Sequence, residues 1–152
     1  MLAIRKAEME DESVVFELLK QFPPENIHGT RPFEWDKGVT IFREIIGDEE
    51  KGTVLLAEEG GDLLGICSLS YPIAIHCGGM YSCIEEFIVS EKSRGKGVGG
   101  KLLEAAIAWA SEKGCYEIQV NRPSKLGYPV YLRHGFLDAG KHLLMRLPRH
   151  KS

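Results

Sequence analysis

With 152 residues, 43% of them hydrophobic, the chain is long enough to bury a sizeable core and too apolar to be a disordered segment. A formal net charge of −3 with dispersed basic residues offers no face for a nucleic acid. No apolar run reaches the roughly 18 residues needed to cross a bilayer, and the opening Met1-Leu2-Ala3-Ile4-Arg5 lacks signal-peptide anatomy, so a cytoplasmic chain without membrane contact is expected.

In chain order, the alternation around Ile4 predicts a first strand, after which Asp11 can cap a helix carrying Val15, Leu18, Leu19 and Phe22 on one face. Pro23-Pro24 ends that helix. A loop with Asn26, His28, Gly29 and Thr30 leads to Pro32, placed for the first turn of a second helix. Trp35, Val39, Phe42 and Ile46 then repeat at helical spacing up to Gly47, a stripe that suits the core, although an aromatic here can also line a substrate mouth. Thr53 to Glu58 and Leu63 to Tyr71 read as strands joined at Gly60-Gly61, with Pro72 bending the far end of the second. The chain turns back through Ile73 to Gly79 into a strand, Ile84-Glu85-Glu86-Phe87-Ile88-Val89. A helix-like run from Lys101 to Lys113 carries Leu102, Leu103, Ala106, Ile107 and Ala110, with Lys113 at its negative end and Gly114 as C-terminal cap. Tyr116 to Val120 is the next strand, a short helix holds Tyr131, and Leu143 to Leu147 predicts a final strand. No repeat, linker or low-complexity tract interrupts residues 1–152, which are read as one domain.

The four cysteines show no paired metal-binding spacing. His76-Cys77 followed by Cys83 is the one suggestive cluster, and no second close pair completes a tetrahedral set, so no metal is expected and the thiols are read as reduced.

Between the strand ending at Val89 and the following helix lies Arg94-Gly95-Lys96-Gly97-Val98-Gly99-Gly100. Strand, glycine turn and helix in that order make a phosphate cradle: glycines let backbone N–H groups close on an anion, and the helix adds the positive end of its dipole. Gly95, Gly97 and Gly100 satisfy the dinucleotide pattern G-x-G-x-x-G, but the turn lies two-thirds along the chain and the next strand closes at Val120-Asn121 rather than at an acidic residue. Most of a P-loop is also present, yet Leu102 stands where Ser or Thr must hold magnesium.

A third pattern fits best. Arg94-x-x-Gly97-x-Gly99 resembles the acyl-CoA pyrophosphate motif of the GNAT acetyltransferases. Ile84 to Val89 is similar to that family's fourth strand, and Tyr131-Leu132-Arg133-His134-Gly135-Phe136 to its late Tyr-x-x-x-Gly-Phe motif. The resemblance implies an α/β domain with a mixed, mostly antiparallel central sheet flanked by about four helices. It implies acetyl-CoA as co-substrate, held at the pyrophosphate by the backbone from Gly95 through Lys96, Gly97, Val98 and Gly99 to Gly100. Phe87, Ile88 and Val89 would pair with pantetheine where the fourth and fifth strands splay apart, and an N–H near Val89 could polarise the thioester. Arg94 either adds charge or braces the loop. Asn121 can contact the cofactor or serve a cap or turn. Dimers are common among relatives, which makes a homodimer possible.

Amine acetylation needs an uncharged amine and a proton for the departing thiolate. Glu85 and Glu86, adjacent on a strand, are expected on opposite faces and so not as a paired carboxylate site. Glu85 keeps an even spacing from Val89, as substrate-facing acids of this strand do in relatives, and the local string resembles the Leu-Glu-Asp-Phe-Phe-Val type of spermidine/spermine acetyltransferases. Glu85 is therefore the expected base, directly or through water. Tyr131, a phenol protonated at neutral pH, is the candidate acid, while His134 suits a surface or packing role. The sequence departs from the family where Ser124 and Gly127 occupy the usual Asn and Ala registers and Pro129 enters the short helix. The expected activity is direct acetyl transfer to a primary amine of a small molecule; the alternatives are a protein N-terminus or lysine as acceptor, and a non-catalytic acyl-CoA-binding module.

Overall fold

The computed structural model describes residues 1–22, 33–140 and 142–148. The proline stop at Pro23-Pro24, the Asn26 to Thr30 loop and Pro32 lie outside them. Strands Ala3–Lys6 (β1), Gly52–Glu59 (β2) and Asp62–Ser70 (β3) are followed by a small hairpin, Ile73–Ala74 (β4) with Gly79–Met80 (β5), then by Ser82–Val89 (β6) and Ile118–Gln119 (β7). The main sheet runs β1-β2-β3-β6-β7, with every pairing antiparallel except β6 with β7. Among the described residues four helices flank it: Glu12–Leu19 (α1), Trp35–Gly47 (α2), Val98–Glu112 (α3) and Tyr128–Arg133 (α4). The mixed, mostly antiparallel sheet and the helix count agree with the expectation. None of the helices among the described residues is long and apolar enough to cross a membrane.

Two apolar layers sandwich the sheet. Val54, Leu56, Ile66 and Ile88 face α1 and α2, whereas Leu55, Ala57, Cys67, Leu69 and Ile84 face α3 and Tyr131. This explains why β2 reads as an unbroken apolar run: a strand covered on both sides has no polar face to alternate with. The edge-to-face contact of Phe16 with Phe42, at 5.8 Å, joins α1 to α2. On α3, Leu102, Leu103 and Ala106 have no exposed surface at all, as the three- and four-residue spacing required.

Four details differ from expectation. Asp11 occupies the position before α1 but does not cap it; its carboxylate accepts the Glu8 N–H at 2.7 Å and two bonds from Arg5 at 2.8 and 2.9 Å. The Tyr116 to Val120 strand shrinks to two residues, because polar Asn121-Arg122 and donor-less Pro123 end the ladder. Residues 142–148 form no strand: Leu143 and Met145 stand 90% and 82% exposed, and an extended segment becomes a strand only by pairing with a sheet edge. Lys113 sits at the C-terminal end of α3, but its ammonium reaches the Glu49 carbonyl at 2.9 Å and the face of Tyr71 rather than the helix's own last carbonyls.

The Arg5 guanidinium, shared with Glu58 at 2.9 Å, holds the Asp11 carboxyl below its ordinary range, chiefly through their hydrogen bonds. A carboxyl with a lowered folded-state pKa contributes stability that is fully present above its ordinary value of 3.8 and is lost as pH falls through the lower folded value. Asp11→Asn should therefore lower the thermal midpoint at neutral pH by roughly 2–4 °C, about 1 kcal/mol for a partly exposed pair. Thermal melts should show the gap from the unsubstituted protein narrowing on acidification.

Candidate active site

The sheet opens where β6 outruns β7. Only Ser82 and Cys83 of β6 pair with β7, through Ile118 and Gln119, while β6 continues to Val89 with β3 along its other edge. From Ile84 onward no described strand covers this side of β6. Phe87, Ile88 and Val89 therefore lie along an edge that no described strand covers, Phe87 and Val89 facing α3 and Ile88 facing the α1–α2 layer.

Beyond Val89 the chain makes a short turn, Glu91–Ser93, pinned by the buried Ser90 hydroxyl, which donates to Ser93 Oγ at 2.7 Å. Gly95 and Gly97 both take φ +79°, a left-handed backbone that side chains oppose. Gly97 is the N-cap of α3, so the helix starts at Val98 rather than at Lys101 and takes Gly99 and Gly100 into its first turn. The helical ladder opens with Lys101 N–H donating to the Gly97 carbonyl at 3.2 Å. The amides of Val98, Gly99 and Gly100 precede that first bond and lie at the positive end of the dipole. Val98 contributes only its amide, since its side chain is buried under the sheet. A Cβ on Gly99 would lie 3.5 Å from the Phe87 ring and 3.6 Å from Val89, ordinary contact distances, so the helix start packs against β6 without needing glycine at this position. Arg94 Nε donates to the Val89 carbonyl at 3.3 Å, which braces the loop; the Lys96 side chain is exposed.

The two glutamates are not divided between faces as simple alternation implied, and Glu85 does not share the face of Val89 that its even spacing predicted. Pairing shifts from Ser68↔Glu86 to Leu69↔Ile84, so Glu85 is the extra residue of a bulge in β6. Ser70 Oγ donates to Glu85 at 2.6 Å, while Ser68 Oγ donates to the Glu86 carboxylate and accepts the Glu86 N–H at 3.0 Å. Ser68 and Ser70 are two apart on β3 and share a face, so the bulge brings both carboxylates to that face, the side of Val54 and α1–α2. Burial, then the charge of Glu85, raises the Glu86 carboxyl pKa against the lowering effect of the Ser68 hydrogen bond. Glu85 is the exposed member. Neither serine was singled out in the sequence; a polar pair at positions i and i+2 within an apolar strand was the available signal.

Tyr131 lies on the opposite face. It is 4% exposed, with its ring 5.4 Å from Phe87 and 5.2 Å from Phe136. Burial pushes its phenol well above the ordinary tyrosine value, so the hydroxyl stays protonated throughout the neutral range. It borders a cavity of about 630 Å³ that Ile107, Ile118, Asn121 and Phe136 also line. Asn121 is exposed just beyond β7 and directs its amide at Cys83 Sγ, 3.7 Å away. Ser124 sets the start of α4: its Oγ accepts the Gly127 N–H at 3.0 Å and its carbonyl the Tyr128 N–H at 2.9 Å, with Pro129 in the first turn. His134 packs as expected, with Nδ1 2.8 Å from the Val130 carbonyl and its ring 3.4 Å from where a Gly100 Cβ would stand.

Gly127 has an ordinary φ of −77°, so its role is space rather than backbone freedom. A Cβ there would lie 3.1 Å from the Tyr131 ring and 3.2 Å from Ser124 Oγ. Gly127→Ala should displace the ring by a few tenths of an ångström and lower turnover about tenfold without changing affinity for the co-substrate. Steady-state kinetics with an independent binding titration would separate the two.

The thiols are poor nucleophiles. Burial pushes Cys67 and Cys83 up to about 12, with Glu86 and Glu85 respectively adding to the effect, and burial also raises Cys77 and Cys115.

The glycine turn, the uncovered stretch of β6 and the buried tyrosine stand on an acyltransferase-type α/β fold. Residues 13–136 match the model of the acetyltransferase (GNAT) family, and the chain belongs to that family. Among curated proteins it is 26% identical over 137 residues to the uncharacterized N-acetyltransferase YhfO of Bacillus subtilis, covering 88% of each chain. A predicted acetyltransferase from Clostridium acetobutylicum, solved with acetyl-CoA, superposes with a TM-score of 0.79 at 26% identity over 96% of both chains. Glucosamine-6-phosphate N-acetyltransferase from Arabidopsis thaliana shares the fold, with a TM-score of 0.78 at 22% identity over 97% of this chain and 99% of that one.

Proposed function

We propose that this acetyltransferase uses acetyl-CoA and passes the acetyl group directly to a primary amine of a small molecule. The observation that carries this reading is the opening beside β6, with the glycine turn at one end, two carboxylates on one face and Tyr131 on the other. The relative solved with acetyl-CoA supports the choice of co-substrate. The chain's groups fit it: the left-handed Gly95 and Gly97 and the amides from Val98 to Gly100 suit a diphosphate, and the edge from Phe87 to Val89 that no described strand covers suits the amide groups of pantetheine. Acetyl-CoA supplies an activated thioester.

In this reading Glu85, exposed and oriented by Ser70, attracts the acceptor's ammonium and takes its proton, directly or through water. Glu86, held by Ser68, stands on the same face, its own carboxyl pKa raised chiefly by burial. A backbone N–H near Val89 polarises the thioester carbonyl. Tyr131 gives its proton to the departing thiolate. Raised thiol pKa values favour direct transfer over an acyl-cysteine.

The test is a panel of small primary amines and of peptides, each incubated with the protein and acetyl-CoA while free thiol is followed. Thiol release with a small amine is expected. Release only with peptides would reassign the acceptor to protein, and CoA binding without turnover on any amine would make the chain a binding module.

A further inference from the structure

The β4–β5 hairpin carries a set of donors unrelated to acetyl transfer. The turn Ile75–Cys77 between its strands closes with Gly78 in the left-handed region, φ +64°, and presents His76 and Cys77 side by side. The chain segment leading into β7 is stitched to this hairpin and to the start of β6: Tyr116 N–H donates to the Met80 carbonyl at 2.9 Å, and Ser82 N–H to the Glu117 carbonyl at 2.8 Å. That stitching brings Glu117 to the turn, 40 residues away in sequence. An imidazole nitrogen of His76, Cys77 Sγ and a Glu117 carboxylate oxygen all lie within 4.8 Å of one another. Gln119 Nε2 donates to Glu117 Oε1 at 3.1 Å, a second partner for the carboxylate.

We propose that His76, Cys77 and Glu117 form a binding site for a zinc-like divalent cation, with a fourth position open to water. Nitrogen, thiolate and carboxylate are the three donor types that zinc accepts, and three protein ligands leave one tetrahedral place for solvent. Ligand atoms around tetrahedral zinc stand about 3.3–3.5 Å apart, so any pair near the 4.8 Å limit must close by roughly 1 Å. His76 and Glu117 are exposed and can rotate to do so, while Cys77 is the half-buried anchor. On binding, the Cys77 thiol gives its proton to solvent and its sulfur forms the metal bond, so the exchange is one proton for one cation with no redox step. A bound ion would clamp the hairpin to the entry of β7, next to the Ser82–Ile118 and Cys83–Gln119 pairs at which the sheet opens. The site is independent of the acetyl-transfer reading, whose residues it does not include. The sequence offered only His76-Cys77 followed by Cys83, and no metal was expected from it; Cys83 is buried in β6 beside Asn121, whereas the fold brings Glu117 to His76 and Cys77.

The test uses the purified full chain stripped with chelator and titrated with cobalt(II), then zinc, in a buffer without thiols. Cobalt should produce a near-ultraviolet sulfur-to-metal charge-transfer band at one equivalent, which zinc then abolishes. Zinc at about a hundredfold excess over its Kd should raise the thermal midpoint by roughly 5 °C or more. Cys77→Ser should remove the charge-transfer band, and Glu117→Gln should weaken cobalt binding about tenfold, whereas Cys115→Ser should leave both unchanged. No charge-transfer band in the unsubstituted protein, or a band that survives Cys77→Ser and is lost with Cys115→Ser, would overturn the assignment. Glu117→Gln binding as tightly as the unsubstituted chain would remove the carboxylate from it.

Discussion

Tyr131→Phe should lower kcat about 10²- to 10³-fold while leaving the Kd for CoA within a factor of two or so, the range general acids supply. The substitution deletes one oxygen from a ring that stays wedged between Phe87 and Phe136, so the α4 packing survives. Stability should change by no more than about 1 kcal/mol, readable as a melting midpoint shifted by no more than about 4 °C. Because burial raises the phenol pKa, the acid is protonated at every pH where the protein is assayed, and no tyrosine-dependent limb should cross the neutral pH–rate profile. A Phe variant with full turnover would leave the thiolate to be protonated by solvent and would remove Tyr131 from the chemistry. A Phe variant that had also lost CoA affinity would make the hydroxyl a binding group instead.

Glu85→Gln should lower kcat/KM about 10²-fold at neutral pH, and the loss should shrink as pH approaches the acceptor amine's own pKa, where the free base forms without help. Pre-steady-state or steady-state profiles across that range read the effect directly. Glu86→Gln should behave differently. Its carboxyl pKa is raised in the folded protein, so the native state binds a proton more readily than the unfolded chain between the ordinary value of 4.5 and the higher folded value. Folding stability contributed by this group therefore falls as pH rises through that window and stays low above it. Glu86→Gln, which keeps a partner for Ser68, should accordingly gain stability relative to the unsubstituted protein as pH rises from acid to neutral. A stability gap independent of pH would show that Glu86 titrates normally. If Glu86→Gln, and not Glu85→Gln, produced the pH-rescuable defect, the buried glutamate would be the base.

The bulge at Glu85 shows why the assignment within this pair was not legible in the chain. Alternation fixes sides only while pairing stays in register, and a single inserted residue moves a side chain across the sheet. The insertion depends on how β6 fits β3, with Ser68 and Ser70 waiting across the ladder, and nothing local to Ile84-Glu85-Glu86-Phe87 records it. The Asp11 cap failed for a related reason: Arg5, on a neighbouring strand, competes for the same carboxylate and wins with two charge-assisted bonds. The strand expected at Leu143 to Leu147 had apolar content but no sheet edge to complete it among the described residues.

Sequence alone determined the elements whose causes are local. The helical stripes of α1, α2 and α3, the two-glycine hairpin at Gly60-Gly61 and the glycine turn before α3 each follow from side-chain period or backbone freedom within a few residues. Ordered motifs likewise sufficed to expect the family. Tertiary structure decided what depends on distant partners: that β6 outlasts β7 and leaves an edge open, that both glutamates share a face, that Gly127 makes room for the Tyr131 ring, and that Glu117 meets His76 and Cys77. The physical reason is the same in each case. Local conformation is set by a residue's own sterics and spacing, whereas register and proximity are set by which surfaces the collapsed chain must bury together.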